Sequence, residues 1–370
     1  MKYREFEKLG TKTSMLGFGG MRFPIRKDKK IARRESKAMI DRAYKNGVNY
    51  FDTAYGYHGG DSEYFFGEAL AKYPRESYYL ADKLPSWYVK ELADVDRLLD
   101  EQLKKTKQEY FDFYLVHAVN NDHFENFEKL GAFERLREIQ KTGKFRHLGF
   151  SFHDTPEVLE KVVDKWKPDF VQIQLNYLDW KLIDAKKMYE ILEERDIPVI
   201  IMEPVRGGRL QNLPKIFSDK LQAVTDGSNA AVAFRWIGQL KNVICILSGM
   251  SNMEQVEDNL NTFDELKPLT AEEMRVTEEI TDRLMEQGAV PCTACNYCDV
   301  CPKQIAIPKI FAAFNDYKAS GDGEAYKNSY AEIEEGHREK DCIACGKCVK
   351  MCPQMINIPD ILAYIAARRA

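Results

Sequence analysis

The chain has 370 residues, 44% hydrophobic and 30% charged, and its 54 basic and 58 acidic side chains leave a formal charge of −4. That composition suits one large globular domain plus a smaller one and excludes disordered and fibrous classes. Near-balanced charge removes nucleic acid as an expected partner, the apolar runs are too short to span a membrane, and the charged start Met1 to Glu7 has no signal-peptide core.

In chain order, residues 5 to 14 read as a hairpin closing the bottom of a barrel. Short apolar runs then read as strands: Met15–Phe18, Asn49–Asp52, Tyr78–Lys83, Phe111–His117, His147–Ser151, Phe170–Gln174, Val199–Met202 and Val243–Leu247. Helical patterns lie between them. From Leu182 to Leu192, for example, Leu182, Ala185, Met188, Tyr189 and Leu192 repeat at helical spacing. Eight strand-helix repeats in roughly 250 residues fit an α/β class chain with a closed (β/α)8 TIM barrel. An open doubly wound sheet would show a glycine-rich first turn, and no G-x-G-x-x-G follows a strand here.

Barrel chemistry sits at the C-terminal strand ends. That directs attention to Asp52, Lys83, His117, Ser151, Gln172, Glu203 and the Ser248–Asn252 loop. Asp52-Thr53-Ala54-Tyr55-Gly56-Tyr57 follows the second strand. Tyrosine, lysine, aspartate and histidine on neighbouring strand ends can form a proton relay. The lysine ammonium would lower the phenol's pKa, the carboxylate would hold the lysine, and the histidine would orient a substrate oxygen. Each residue alone reads more readily as structural than as catalytic, and four at successive strand ends with compatible chemistry reverse that balance. Arg206 reads as a solvated loop charge or as a contact for an acidic substrate group. Trp87 and Trp180 read as pocket walls or as packing, and Cys245 as a buried strand residue.

After residue 262 the pattern changes. Residues 270 to 287 read as one helix opening at Thr270. Of nine cysteines, eight fall between Cys292 and Cys352. In a chain without an export signal, such clustering reads as metal binding in the cytoplasm. The motifs are Cys292-x2-Cys295-x2-Cys298-x2-Cys301-Pro302 and Cys342-x2-Cys345-x2-Cys348-x3-Cys352-Pro353. The sequences after Cys301 and Cys352 repeat, which suggests a pseudo-two-fold module joined by a partly helical segment. Three cysteines at x2 spacing serve one iron-sulfur cube while the fourth serves the other, so two [4Fe-4S] clusters are expected. The sets are Cys292, Cys295, Cys298 with Cys352, and Cys342, Cys345, Cys348 with Cys301. Two structural zinc sites are the alternative. Residues 1–275 are thus assigned to the barrel and 276–370 to a small α-rich ferredoxin-like domain.

The barrel resembles the aldo-keto reductase family. The family's Asp-Thr-Ala-x-x-Tyr signature falls on Asp52 to Tyr57 and continues as Gly60-x-Ser62-Glu63. With the cysteine module, the chain resembles the family's iron-sulfur subgroup. The resemblance implies a nicotinamide-dependent carbonyl reductase with Asp52, Tyr57, Lys83 and His117 as its catalytic set. It implies cofactor contacts at Ser151, Gln172, Met202, Ser248, Gly249, Met250, Asn252, Gln255 and Asn259. His153 stands near the position of the family's cofactor-loop asparagine, and Met202 where many members stack a tyrosine. Asp82 replaces a usual threonine, and strand alternation points it away from the site. NADP-preferring members carry a lysine and an arginine where this chain has Gly249 and Gln255. Glu254, Glu257 and Asp258 lie close by, so NAD(H) is expected over NADP(H).

The leading expectation is therefore an oxidoreductase acting on a small aldehyde, ketone or alcohol. The alternative is an electron-transfer protein linking NAD(H) or a flavin to a redox protein partner. Nicotinamide delivers two electrons at once and each cluster takes one, so that route needs a splitter such as a flavin. No motif here specifies a flavin site.

Overall fold

The chain opens with an antiparallel hairpin, β1 (Tyr3–Phe6) and β2 (Thr11–Ser14). Eight parallel strands follow: β3 (Leu16–Gly19), β4 (Tyr50–Asp52), β5 (Tyr79–Pro85), β6 (Phe111–Val119), β7 (Phe145–Phe152), β8 (Phe170–Gln174), β9 (Val199–Met202) and β10 (Val243–Ser248). They close into a barrel, with β10 returning to β3. The computed structural model describes residues 1–369. Each strand is an apolar run because the barrel interior and the helix layer exclude water from both of its faces. Inside, Tyr50, Ala81, Phe113, Leu115, Phe170 and Ile200 form a packed layer with Cys245, which is buried as expected. Phe6 and Leu9 of the hairpin pack against this layer. Arg4 ties the hairpin down by donating to the carbonyls of Gly238, Leu240 and Val243.

All eight expected strands are present, and β5, β6 and β7 run further than expected. Leu84 and Pro85 continue the ladder opposite Val116 and His117. Lys83 and His117 consequently lie within their strands rather than at the tips. The single helix expected across Leu182 to Leu192 is broken into Asp179–Leu182 and Ala185–Glu194. Asp184 takes a left-handed conformation (φ 53°) at the break, which a short polar side chain tolerates.

Contacts divide the chain into two units. The first is Met1–Pro204 with Ala233–Pro268; the second is Val205–Val232 with Leu269 to the C-terminus. In the second unit the helix Ala271–Glu286 starts at Thr270, as expected. Its capping box pairs the Thr270 hydroxyl with the Glu273 N–H and the Glu273 carboxylate with the Thr270 N–H. The helix Lys215–Gln222 belongs to the same unit, and Lys220 pairs with Glu279.

The cysteine segment has its own core of Ile305, Ile307, Ile310, Phe311, Phe314, Ile356, Ile358, Leu362 and Ile365. Its sequence repeat is also a backbone repeat. Ala294, Asn296 and Gln304 are left-handed, and so are Ala344, Gly346 and Met355. The N–H of Ala294 donates to Cys292 Sγ and that of Ala344 to Cys342 Sγ, each at 3.4 Å. The unequal spacing before the last cysteine is absorbed by helix type. Tyr297–Val300 is a 3-10 turn and Lys347–Met351 an α turn. Three residues at about 2.0 Å rise and four at about 1.5 Å both advance about 6 Å, so Cys301 and Cys352 reach equivalent places.

Candidate functional site

Strand alternation and register place the barrel residues together. Asp52 pairs with Ala81, Lys83 with Leu115, Gly149 with Leu115, and Ser151 with Gln172. Counting by twos from these pairs puts Asp52, Lys83, His117, Ser151 and Gln172 on the interior face. Lys83 is fully buried, and its Nζ lies 2.6 Å from Asp52 Oδ1 and 2.7 Å from the Thr53 carbonyl oxygen. Tyr57 follows β4, and its hydroxyl lies 3.5 Å from the same Nζ. The ring of His117 meets that of Tyr57 edge-on at 6.0 Å, and Trp87 lies 5.1 Å from His117. Trp87 thus stands beside the site, whereas Trp180 packs edge-on against Trp236.

The electrostatics correct one expectation. Lys83 does not make Tyr57 acidic overall. Burial pushes the phenol well above its usual range, the carboxylates of Asp52, Glu203 and Asp82 push the same way, and Arg22 opposes them. The ammonium is already engaged by Asp52 and Thr53, and it reaches the phenol only at the hydrogen-bond limit. Tyr57 is therefore a neutral phenol able to donate a proton. Burial raises the Asp52 carboxyl while Lys83 pulls it down. Burial, aided by the Lys83 charge, holds His117 well below the usual histidine range, so its ring is neutral. Asp82 is buried beside Glu63, with Oδ1 accepting from the Lys83 N–H.

The expected cofactor residues form two groups. In the first, Ser151 Oγ accepts from the Ala118 N–H at 2.8 Å, and Gln172 Nε2 donates to Met202 Sδ at 3.4 Å. The Gln172 side-chain oxygen is buried and meets no donor among the described residues. That atom fits a carboxamide N–H of a nicotinamide. His153 is half-buried and joins the mouth through its N–H to Val119; burial lowers its pKa to about 4. The second group follows β10. Asn259 donates to Ser248 Oγ, Asn252 caps the helix Met253–Glu265 through the Gln255 N–H, and Gln255 accepts from the Ser251 N–H. Met250 is buried in the same loop.

Sequence reading missed Arg22. A Cβ on Gly249 would lie 2.6 Å from Arg22 Cγ, so the absent side chain gives the arginine stem its place. Its position just after β3 was the available signal, since the strand-end rule applies there too. Arg206 is corrected outright. It is 1% exposed and therefore not a solvated loop charge.

The cysteines line two small pockets. Cys292, Cys295, Cys298 and Cys352 line the first, and Cys301, Cys342, Cys345 and Cys348 the second. Among the described residues, no three His, Cys, Asp or Glu side chains converge as ligands of a single ion would. A ring of thiols around a void fits a cluster better than one tetrahedral zinc, whose Zn–S bonds of about 2.3 Å require close sulfurs. Burial pushes the Cys298 thiol up to about 12, so cluster assembly must displace its proton. No helix among the described residues is long and apolar enough to cross a membrane.

Residues 15–282 match the aldo/keto reductase family, and residues 291–357 match the 4Fe-4S dicluster domain. Among curated relatives, L-galactose dehydrogenase of Arabidopsis thaliana is 26% identical over 75% of this chain and 93% of its own length. The NADH-specific methylglyoxal reductase of Escherichia coli is 24% identical over 65% of this chain and 86% of its own. Among solved structures, an aldo-keto reductase from Bacillus halodurans superposes with a TM-score of 0.62 at 23% identity, covering 76% of this chain and 96% of that one.

Proposed function

Because the chain belongs to the aldo/keto reductase family and carries a 4Fe-4S dicluster domain, we propose that its barrel reduces a small aldehyde or ketone, or oxidises the matching alcohol. The observation that carries this is the buried Asp52–Lys83 pair lying 3.5 Å from the hydroxyl of a neutral Tyr57. A bound nicotinamide would supply the hydride from C4. Tyr57 would give its proton to the carbonyl oxygen as charge develops there, and the Lys83 ammonium would stabilise the phenolate left behind. Asp52 would hold Lys83. A neutral His117 would orient the oxygen by hydrogen bonding without adding a charge. Ser151 and Gln172 would hold the carboxamide, with Met202 packed beside the ring.

NAD(H) is the preferred cofactor in this reading, since the positions matching a 2′-phosphate clamp are Gly249 and Gln255. The two cysteine sets would each hold one [4Fe-4S] cluster, which requires reduced thiols and fits a cytoplasmic setting. Exposed Cys345 favours a second role, single-electron exchange with a redox protein at the surface of the second cavity. Two measurements on oxygen-free protein test the whole. Tyr57→Phe should abolish NADH-dependent carbonyl reduction while the brown chromophore remains. Wild type should contain iron, and its absence would overturn the cluster assignment. Full turnover by Tyr57→Phe would remove the proposed acid.

A further inference from the structure

At the barrel mouth β6 carries one residue more than β7. Val116 pairs with Phe150 and Val119 with Phe152, so three steps along β6 oppose two along β7. The extra residue makes a bulge at His117 and Ala118, and a bulge re-aims the side chain it carries. Ala118 is left-handed (φ 54°), which its Cβ disfavours, so neighbours must enforce that backbone. The enforcing contacts are visible. The Ala118 N–H donates to Ser151 Oγ at 2.8 Å. The Ala118 carbonyl oxygen lies 2.7 Å from His123 Nδ1. A carbonyl only accepts, so this ring nitrogen carries a hydrogen. The same Nδ1 lies 3.0 Å from Ser86 Oγ, whose hydroxyl donates to the His117 carbonyl at 2.6 Å. His123 is itself fixed in the helix Asn121–Leu130, where its N–H donates to the Asn120 side chain. The His117 ring lacks such a tie at Nδ1, which is buried and meets no partner among the described residues. Its aim therefore depends on its backbone and on packing against Tyr57 and Trp87.

Resting on the role given to His117 above, we propose that His123 and Ser86 are positioning residues, which hold the bulge so that the His117 ring meets the substrate oxygen and the Ser151 hydroxyl meets the cofactor carboxamide. The Ser151 part follows from polarity. Its Oγ accepts the Ala118 N–H, so its own hydrogen is left to donate, as a carboxamide oxygen requires. The orphaned Gln172 oxygen supplies the complementary acceptor. One bulge thus sets two contacts, one to each reactant. His123 and Ser86 act through the backbone of His117 and Ala118 and are not catalytic residues.

The test is a double-variant cycle on the oxygen-free holoenzyme. His123→Leu deletes the donor, and His123→Asn keeps an N–H close to the place of Nδ1. In His123→Leu kcat should fall about 10- to 100-fold, the loss that a misplaced group near the reacting atoms brings. His123→Asn should recover most of that loss. Combined with His117→Gln, His123→Leu should lower kcat no further, because the ring it aims is gone. The NADH dissociation constant, read by titration without substrate, should rise about three- to tenfold in His123→Leu, the equivalent of one neutral hydrogen bond. Losses that multiply in the His117→Gln background overturn the proposal, as do equal losses in His123→Leu and His123→Asn, or an unmoved NADH constant. If His123→Leu does not fold, Ser86→Ala must show the same cycle with His117→Gln, and multiplying losses there overturn it equally. A wild type that reduces no carbonyl with NADH would instead defeat the proposed function, a result distinct from an active wild type whose losses multiply.

Discussion

Replacing Lys83 by methionine keeps a long buried stem and deletes the ammonium. Asp52 would stay buried without the ammonium that pairs with its carboxylate. Breaking a buried pair from one side costs about 3–5 kcal/mol. At about 2–4 °C per kcal/mol for a domain of this size, the melting temperature should fall by about 6–20 °C. The pH dependence has a definite sign. Burial already raises the Asp52 pKa with Lys83 present, and losing the cation raises it further. A carboxyl whose folded pKa exceeds its unfolded value, about 3.9, keeps full stability below that value and loses it as pH rises through the folded pKa. The Lys83→Met deficit should therefore be smaller at pH 5 than at pH 8. Adding Asp52→Asn removes the orphaned charge, so the double variant should be more stable at pH 8 than the sum of the two single losses implies. Thermal melts of the four proteins at both pH values give the answer. Additive losses, or a deficit independent of pH, would refute the view that Asp52–Lys83 is one buried electrostatic unit.

Cys352 belongs to the second motif in sequence but lines the first cavity. Cys352→Ser should therefore perturb the same electron paramagnetic resonance signal as Cys295→Ser, and matching Cys345→Ser instead would break the assigned pairing. Gln255→Arg should raise the NADPH-to-NADH affinity ratio about 10- to 100-fold, the equivalent of one charge-assisted contact of about 1.5–3 kcal/mol, as read by binding titrations. Gly249 is the poorer site for this change because a side chain there must displace Arg22. Neutral His117, held well below pH 6.5 by burial, should leave no ionisation limb of its own in kcat/KM between pH 7 and 8. A limb in that window that vanishes in His117→Gln would show the ring to be charged at rest.

The barrel was legible because its strands obey a local rule. A run buried on both faces must be apolar along its length, and eight such runs separated by amphipathic helices leave few architectures. The interior set Asp52, Lys83, His117, Ser151 and Gln172 follows from the same local geometry, since alternate residues share a face. The cysteine motifs were legible because x2 spacing is itself the ligand geometry of one turn of chain.

The tertiary structure alone decided what depends on distant neighbours. Arg206 sits in a glycine-bearing loop that looks solvated, and only the fold shows its side chain buried and Gly207 pressed against the Thr293 carbonyl. The net state of Tyr57 was also out of reach. Sequence supplies the ammonium, but desolvation by the whole barrel mouth and the carboxylates of Asp52, Glu203 and Asp82 outweigh it. The equivalence of the unequal cysteine spacings needed the choice between a 3-10 and an α turn. Each of these rests on long-range packing, and burial acts on charge and backbone with energies that local patterns do not encode.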